Sequence, residues 1–363
     1  MTIPDPDFWR GRRVLVTGHT GFKGAWLCAW LERMGATVTG FALAPEPGPN
    51  LFRDMGGWSG VTSVIGDIRD IDAVESVCRN ADAEVAIHMA AQSLVRRGHR
   101  DPQGTFATNV QGTGNLLQAL DRCPDLEAIL VVTSDKCYRN DNSGRPFVET
   151  DPLGGRDPYS ASKATQETLA IGWRRGLLES RAGAPRLATA RAGNVIGGGD
   201  WAEDRILPDL FRAAETGEPL EVRNPGATRP WQHVLDVLAG YLCYVESLAA
   251  GGGRMPPPAL NFGPQAVDAR PVSWLVDHAV NRLRTAGHDT PDWITARAGG
   301  PTEAAALALD PRLAQTTIGW GSRLSQEDAV AWTADWHAQA MAGKPVRDLV
   351  RAQIEQFSKA AAA

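Results

Sequence analysis

The chain has 363 residues, of which 43% are hydrophobic and 22% are charged, and its formal net charge is -5 at pH 7. This composition is typical of a folded globular protein and excludes a disordered or fibrous chain. The mildly acidic charge argues against binding to a nucleic-acid backbone, which requires a basic surface.

The five cysteines are scattered and form no Cys-x-x-Cys pair, which predicts reduced thiols rather than a disulfide framework or a metal site. Residues 1–13 lack the apolar core of a signal peptide, and no apolar run reaches the roughly 18 residues that a membrane-spanning helix needs. We therefore expect a cytoplasmic protein with no metal, no membrane and no nucleic-acid partner.

The first half of the chain alternates short β-branched or apolar runs with helical patterns. Such alternation predicts βαβ units and a parallel sheet. The predicted strands are Val14 to Thr17, Thr37 to Leu43, Val61 to Ile65, Val85 to Met89, Ile129 to Thr133 and Leu187 to Arg191.

A glycine-rich turn follows the first predicted strand. In TGHTGFKG the glycines have the spacing GxxGxxG and stand at the start of an apolar-faced helix. Glycine permits a positive φ and close approach of backbone N–H groups to a pyrophosphate, and the helix amino terminus adds partial positive charge. The order strand, turn, helix therefore predicts a dinucleotide site. Its expected contacts are Gly18, Thr20, Gly21, Phe22, Lys23 and Gly24.

The end of the second predicted strand, residues 41–44, lacks the acid that usually binds the adenosine ribose. Asp67 and Ile68 follow the third strand and are placed for the adenine, although Asp67 could instead cap a helix. No arginine stands at the second strand's end to bind a 2′-phosphate, which favours NAD over NADP. The remaining expected cofactor contacts are Ala90, Ala91, Gln92, Asn109 and Thr133.

After Asn194 the texture of the sequence changes, with three consecutive glycines at 197–199 and proline-rich breaks at 256–258. We predict an NAD-binding Rossmann domain over 1–196, with a return segment at about 230–264, and a substrate-binding lobe over 197–363. The expected fold class is α/β: a Rossmann-type doubly wound parallel sheet with a smaller, discontinuous α/β lobe.

Tyr159 and Lys163 in YSASK lie four residues apart, on one face of a predicted helix, and Ser134 stands at the end of the preceding strand. A nearby ammonium lowers the pKa of a phenol, so a tyrosinate can take the proton of a sugar hydroxyl as hydride leaves its carbon. Serine would hold the same oxygen. We predict that these three residues are catalytic and that Tyr159 and Lys163 also contact the cofactor.

The motifs together resemble the extended short-chain dehydrogenase/reductase family over most of the chain. In that family, dehydratases place an acid after the serine or threonine, and TSDKCY has Asp135 there. The resemblance implies that Asp135 is the general acid toward a carbon-6 hydroxyl and that Lys136 is the carbon-5 base. Many such dehydratases carry Asp-Glu, so the lysine is a departure, and a structural Asp-Lys ion pair is the alternative.

The blocks RAGNVIGGGDW and RPWQHV extend the resemblance into the second half. It implies that Asn194 contacts a substrate diphosphate. Arg229 offers forked donors to the same phosphates, unless it is a surface arginine. The residues expected to frame the nucleotide base are Asp200, Trp201, Arg205 and Leu207.

In order and spacing these blocks are similar to the CDP-glucose 4,6-dehydratases. The resemblance implies conversion of CDP-glucose to a 4-keto-6-deoxy sugar, with tightly bound NAD regenerated in each cycle. The alternatives are a UDP-N-acetylglucosamine dehydratase, a 4-epimerase, and a catalytically silent NAD-binding scaffold.

The resemblance also implies a homodimer or a dimer of dimers, in which the helix of Tyr159 and the helix at 112–120 form a four-helix interface. Leu169, Trp173 and Leu177 supply an apolar stripe for it. The alternative is that this stripe covers the sheet of its own chain.

Overall fold

The protein was analysed as a computed structural model that describes residues 1–250, 255–264, 269–296 and 307–359. The strands are β1 (Arg13–Thr17), β2 (Thr37–Ala42), β3 (Val61–Ile65), β4 (Val85–His88), β5 (Ala128–Val132), β6 (Arg186–Ala192), β7 (Val195–Ile196), β8 (Glu221–Val222), β9 (Thr228–Arg229), β10 (Gln232–His233), β11 (Ala259–Phe262), β12 (Arg270–Pro271) and β13 (Ile294–Thr295).

The helices are α1 (Pro6–Trp9), α2 (Phe22–Arg33), α3 (Leu51–Met55), α4 (Ile71–Ala81), α5 (Val95–Arg100), α6 (Pro102–Phe106), α7 (Gly112–Leu120), α8 (Pro158–Trp173), α9 (Ile206–Thr216), α10 (Val234–Ala249), α11 (Val272–Thr285), α12 (Arg312–Ile318), α13 (Gln326–Met341) and α14 (Val346–Lys359). Segments of π-helix cover Ala107–Gln111 and Arg174–Leu178, and a 3₁₀ turn covers Asp135–Cys137.

Seven parallel strands form the central sheet in the order β11-β6-β5-β4-β1-β2-β3. The chain moves outward from β1 to β3 and then returns to β4 on the other side of β1. Such a reversal opens a crevice at the carboxyl ends of β1 and β4, where doubly wound folds bind their ligands. The expected fold class is confirmed.

Helices cover both faces of the sheet, as a parallel sheet requires. Along β1, Val14 and Val16 pack into a core with α2, α10 and α14, whereas Leu15 points to the opposite core with α4, α7 and α8. β4 and β5 are buried at every position, which explains why every residue in them except His88 of β4 is apolar.

A third core joins α9, α11 and α13 beside the carboxyl edge of the sheet and forms the lobe that faces the crevice. The last helix does not stay in this lobe. α14 packs against α2 and α3, because its buried face of Leu349, Val350, Ile354 and Phe357 completes the first core. The segment 197–363 therefore contributes both to the lobe that faces the crevice and to the first core on one face of the sheet.

Within the described ranges no helix has both the length and the apolar character needed to cross a membrane. The same ranges hold no cluster of three or more His, Cys, Asp or Glu side chains arranged for a metal ion.

Candidate active site

A cavity of about 780 Å³ lies in the crevice between the sheet edge and the lobe. Its walls include the glycine turn after β1, the ends of β2, β4, β5 and β6, the start of α8, and the loop that leads into α9. One continuous space therefore connects the predicted cofactor, catalytic and substrate residues.

The glycine turn brings backbone close to the sheet. Gly18 has a φ of 78°, and a Cβ placed there would lie 2.7 Å from the backbone nitrogen of Ala90. A Cβ on Gly24 would lie 2.1 Å from the carbonyl oxygen of Gly18. Gly21 is the N-cap of α2 and has no side chain to satisfy the first N–H groups of that helix. These N–H groups suit a pyrophosphate, and all six predicted residues of the turn line the cavity.

At the other end of the predicted cofactor site, Asp67 and Ile68 line the cavity. The helix cap is a different residue: Asp70 accepts from the first N–H groups of α4. Asp67 instead binds the guanidinium of Arg69 at 2.9 Å, and this hydrogen bond holds the pKa of Asp67 below its usual value. Glu46, in the loop after β2, also lines the cavity and was not singled out from the sequence.

The predicted cofactor residues in and near the loop after β4 fall into two groups, those that line the cavity and those that do not. Ala90 and Ala91 line the cavity, as does Thr133 at the end of β5, but Gln92 and Asn109 do not. The Asn109 side chain accepts from Gln92 N at 2.8 Å and donates to Gln92 O at 3.0 Å. Asn109 therefore holds this loop in place, and its expected cofactor contact is not seen in the cavity wall.

Tyr159 and Ser134 both line the cavity wall, and Ser134 lies close enough to the phenol to lower its pKa. The pKa of Tyr159 is raised to about 12, mainly by burial and also by the nearby Asp135, although Ser134 and Arg205 act to lower it. This differs from the expectation that Lys163 lowers the pKa of the phenol. The reason is geometric, because the Lys163 ammonium donates to Val132 O at 3.2 Å and to the Gln166 side chain at 2.9 Å.

Three cationic side chains surround this centre. Burial and the charge of Lys23 lower the pKa of Lys163 to about 7. Burial and the charge of Arg205 lower the pKa of Lys23 itself to about 8. Arg205 is held by Asp200 at 2.8 Å, and that carboxylate raises its pKa. The mutual repulsion of these groups favours a site that receives negative charge.

Asp135 is 3% exposed and accepts a hydrogen bond from Ser134 Oγ at 2.9 Å. Lys136 is half-buried and lines the same cavity. The two side chains form no ion pair with each other in the part of the chain that the structure describes, so the purely structural Asp-Lys pair is not observed. Both groups face the space in which a substrate would lie.

The lobe side of the cavity is polar and incompletely paired. Asn194 Oδ1 and Trp231 Nε1 are buried without a hydrogen-bond partner, and both residues line the cavity. Arg229 is 7% exposed and donates to Thr228 O, so it is not a freely exposed surface arginine. Trp231 was not singled out from the sequence, although Arg229 in the same block RPWQHV was predicted to contact the substrate. The remaining predicted substrate residues that line the cavity are Asp200, Trp201, Arg205 and Leu207.

Comparison with known proteins extends over nearly the whole chain. The chain is 38% identical over 359 residues to the CDP-glucose 4,6-dehydratase of Salmonella typhimurium, which covers 98% of this chain and 99% of that protein. Among solved structures, the epimerase Mth375 from Methanothermobacter thermautotrophicus has a TM-score of 0.78 at 19% identity, covering 95% and 96% of the two chains.

The dTDP-glucose 4,6-dehydratase of Bacillus anthracis, solved in complex with NAD, has a TM-score of 0.72 at 20% identity, with 91% and 97% of the two chains covered. These structural similarities establish a shared fold. The family model described as NAD dependent epimerase/dehydratase family matches residues 14–256. The resemblance seen in the motifs is therefore confirmed, and the chain belongs to the NAD dependent epimerase/dehydratase family.

Proposed function

We propose that the protein is an NAD-dependent nucleotide-sugar 4,6-dehydratase that converts CDP-glucose to CDP-4-keto-6-deoxyglucose. The observation that carries this proposal is the placement of the Asp135 carboxylate, buried on the cavity wall beside Tyr159 and hydrogen-bonded to Ser134. An enzyme that only oxidises and reduces carbon 4 needs no such acid. The full-length similarity to a CDP-glucose 4,6-dehydratase supports the same substrate.

The cofactor proposed for the cavity is NAD. The glycine turn offers close backbone and the free N–H groups of the amino terminus of α2, as a pyrophosphate requires. Asp67 and Ile68 line the end of the cavity proposed for the adenosine, and Ala90, Ala91 and Thr133 line its floor. When bound, NAD accepts hydride from carbon 4 of the sugar and returns hydride to carbon 6.

Tyr159 is proposed to take the proton of the carbon-4 hydroxyl as that carbon is oxidised. Its raised pKa favours the protonated phenol, and positive charge bound nearby lowers that pKa. Ser134, which lies beside the phenol on the cavity wall, is proposed to hold the same substrate oxygen.

Asp135 and Lys136 are proposed to carry out the elimination. Oxidation of carbon 4 makes the carbon-5 hydrogen acidic, and Lys136 is the residue proposed to accept that proton as the C5–H bond breaks. The electron pair forms the carbon–carbon double bond and expels the carbon-6 hydroxyl, which Asp135 protonates so that it leaves as water. Atoms and charge balance with one acid and one base.

The substrate diphosphate is proposed to bind on the lobe side of the cavity. Trp231 Nε1 is a buried donor without a partner, and such an atom is costly unless an acceptor such as a phosphate oxygen satisfies it. The Arg205 guanidinium, oriented by Asp200, places positive charge on the same side. Trp201 and Leu207 supply apolar surface for the nucleotide.

The decisive experiment is incubation of the purified protein with CDP-glucose without added NAD, and mass spectrometry of the products. The proposal expects a sugar that has lost one water. Matched incubations with dTDP-, UDP- and GDP-sugars test the nucleotide. Turnover of another nucleotide alone would discard the substrate, and absence of turnover with all of them after addition of NAD would discard the reaction.

The variant Asp135→Asn tests the role of the acid. It is expected to lower turnover by about 10²–10³-fold and to accumulate a 4-keto hexose that has lost two hydrogens but no water. Asp292→Asn, at a carboxylate that is 88% exposed, is the matched control. A 4-epimerase would keep its activity in Asp135→Asn, and unchanged dehydration in Tyr159→Phe would overturn the mechanism.

We also propose that two copies associate through an apolar face of α8 and the adjoining π-helical segment. This face is lined by Val110, Leu169, Trp173 and Leu177, and Leu177 is 52% exposed. Neighbouring Gly172 leaves the face flat, which suits the packing of a second helix pair. Light scattering is expected to give a dimer or tetramer for the natural chain and a smaller species for Leu177→Asp; a monomeric natural chain would contradict the proposal.

A further inference from the structure

A line of buried hydrogen bonds leads away from Lys163 into the protein, on the side opposite the cavity. The Lys163 ammonium donates to Gln166 Oε1 at 2.9 Å, and Gln166 Nε2 donates to Thr113 Oγ1 at 2.8 Å. Thr113 and Gln166 are completely buried. The line therefore joins α8 to α7 through a single amide.

The line continues from α7 to β4 and then to β1, the two strands whose carboxyl ends open the crevice. His88 Nε2 lies 2.8 Å from Thr113 Oγ1, and His88 Nδ1 lies 2.7 Å from Thr17 Oγ1. The Thr17 hydroxyl also accepts from the backbone N–H groups of Met89 and Ala90 at 3.1 and 3.2 Å. Thr17 directly precedes the glycine turn, so the line ends beneath the proposed pyrophosphate site.

The direction of each bond follows from counting protons. The Thr113 hydroxyl has one proton and donates it to Asn109 O at 2.7 Å. Gln166 and His88 must both donate to Thr113, so His88 carries its proton on Nε2 and accepts from Thr17 on Nδ1. Burial and the charge of Lys163 lower the pKa of His88 to about 3, which keeps the ring neutral. The Gln166 amide is thereby oriented with its carbonyl oxygen toward Lys163.

We propose that Thr113, with His88 and Gln166, is a positioning device that holds the Lys163 side chain at the cavity wall by presenting it with a hydrogen-bond acceptor. Without an acceptor at Thr113 the Gln166 NH₂ group loses its buried partner, so the amide is held in this orientation only by the ammonium itself. The inference rests on the proposed function, in which Lys163 acts as a cation beside the reacting groups.

The charged and titratable groups around Lys163 make the acceptor important. Lys23 from α2 repels the ammonium, whereas Glu167 from α8 itself and Cys137 from the 3₁₀ turn favour it. His88 from β4 is neutral. Burial and the charge of Lys23 together lower the pKa of Lys163 to about 7, so the ammonium can lose its proton near neutral pH. A hydrogen-bond acceptor beside it favours the charged form.

Thr113→Val is the test, because valine has nearly the shape of threonine but offers no acceptor to Gln166 and His88. The alkaline limb of the kcat profile, where Lys163 loses its proton, is expected to move down by about one pH unit, which is about tenfold in kcat on that limb. The KM for the nucleotide sugar should change little. Thr113→Ser restores the hydroxyl and is expected to restore the natural profile.

Thr333→Val is the matched control, because Thr333 is also buried in a helix and donates to the carbonyl four residues earlier, Ala329 O, but lies in α13 outside the cavity wall. Gln166→Met is the second variant if Thr113→Val fails to fold: it removes the acceptor for Lys163 and leaves Thr113 bonded to His88 and Asn109. It should shift the profile in the same direction.

Nitrogen NMR of the histidines adds a readout that does not depend on turnover. His88 is expected as a neutral ring with its proton on Nε2 in the natural protein, and this state should be perturbed in Thr113→Val. Turnover of the natural protein with an unshifted profile in both Thr113→Val and Gln166→Met would overturn the positioning role. Absence of turnover in the natural protein would instead refute the proposed function, while an Nε2-protonated His88 would still support the hydrogen-bond assignment.

Discussion

Glu167 of α8 and Arg191 of β6 form a buried ion pair near the 3₁₀ turn Asp135–Cys137. Arg191 Nη2 lies 2.7 Å from Glu167 Oε2, and the two side chains are 3% and 0% exposed. Glu167 also accepts from the hydroxyls of Thr133 at 2.5 Å and Thr189 at 2.9 Å. Thr133 immediately precedes Ser134, so the pair supports the segment that carries the proposed catalytic residues Ser134 and Asp135.

Glu167→Gln keeps the shape of the side chain but leaves the Arg191 charge without its partner. Burial disfavours the charged guanidinium, and the opposing attraction of Glu167 outweighs that effect and raises the pKa of Arg191. Removing one member of a buried pair costs about 3–5 kcal/mol, because the other charge stays desolvated. We expect the free energy of unfolding to fall by this amount.

Urea unfolding followed by circular dichroism, at one protein concentration and with saturating NAD, measures the loss. The matched control is Asp335→Asn, which breaks the pair between Arg282 and Asp335, whose N···O distance is 2.6 Å and whose side chains are 50% and 34% exposed. That exposed pair is expected to contribute at most about 1 kcal/mol. Equal losses in the two variants would refute the reasoning from burial.

Three further changes have defined outcomes. Gly24→Ala places a Cβ 2.1 Å from a backbone oxygen of the preceding turn, so NAD affinity measured by calorimetry should be lost, whereas Gly176→Ala, which meets open space, should bind normally. Burial raises the pKa of Glu246 to about 7 from an unfolded value of 4.5. The free energy of unfolding of the natural chain therefore falls by up to about 3 kcal/mol as pH rises between these values. Glu246→Gln keeps an acceptor for Trp9 but has no proton to lose. The variant should therefore be more stable than the natural chain at pH 8 but not at pH 4.5. Trp231→Phe removes a buried N–H from the cavity and should raise the KM for the nucleotide sugar about fivefold without changing NAD affinity; an unchanged KM would exclude that contact.

Much of the cofactor half could be predicted from short stretches of sequence. Gly18 has a positive φ, and the lack of space at Gly24 comes from Gly18 and His19 a few residues earlier, although Gly18 also packs against the distant Ala90. Tyr159 and Lys163 share a helix face because of the 3.6-residue helical repeat. Local geometry of this kind can be predicted because it depends on residues that are close together in the sequence.

Other features required distant parts of the chain to meet. The sequence left open whether Asp67 caps a helix, whereas the structure gives that role to Asp70. The sequence also could not show that Gln92 and Asn109, both predicted to contact the cofactor, bond to each other. It also predicted a lowered pKa for Tyr159, whereas burial raises it.

The sequence by itself determined the strand–turn–helix site, the catalytic spacing and the acid after Ser134, because each is a short-range pattern. The tertiary structure alone decided which polar groups are buried and which atom each of them contacts. Thr113 in α7 faces both His88 of β4 and Gln166 of α8, a meeting that no local spacing encodes. Desolvation and hydrogen-bond direction depend on such meetings, and they set the charge state of the groups at the site.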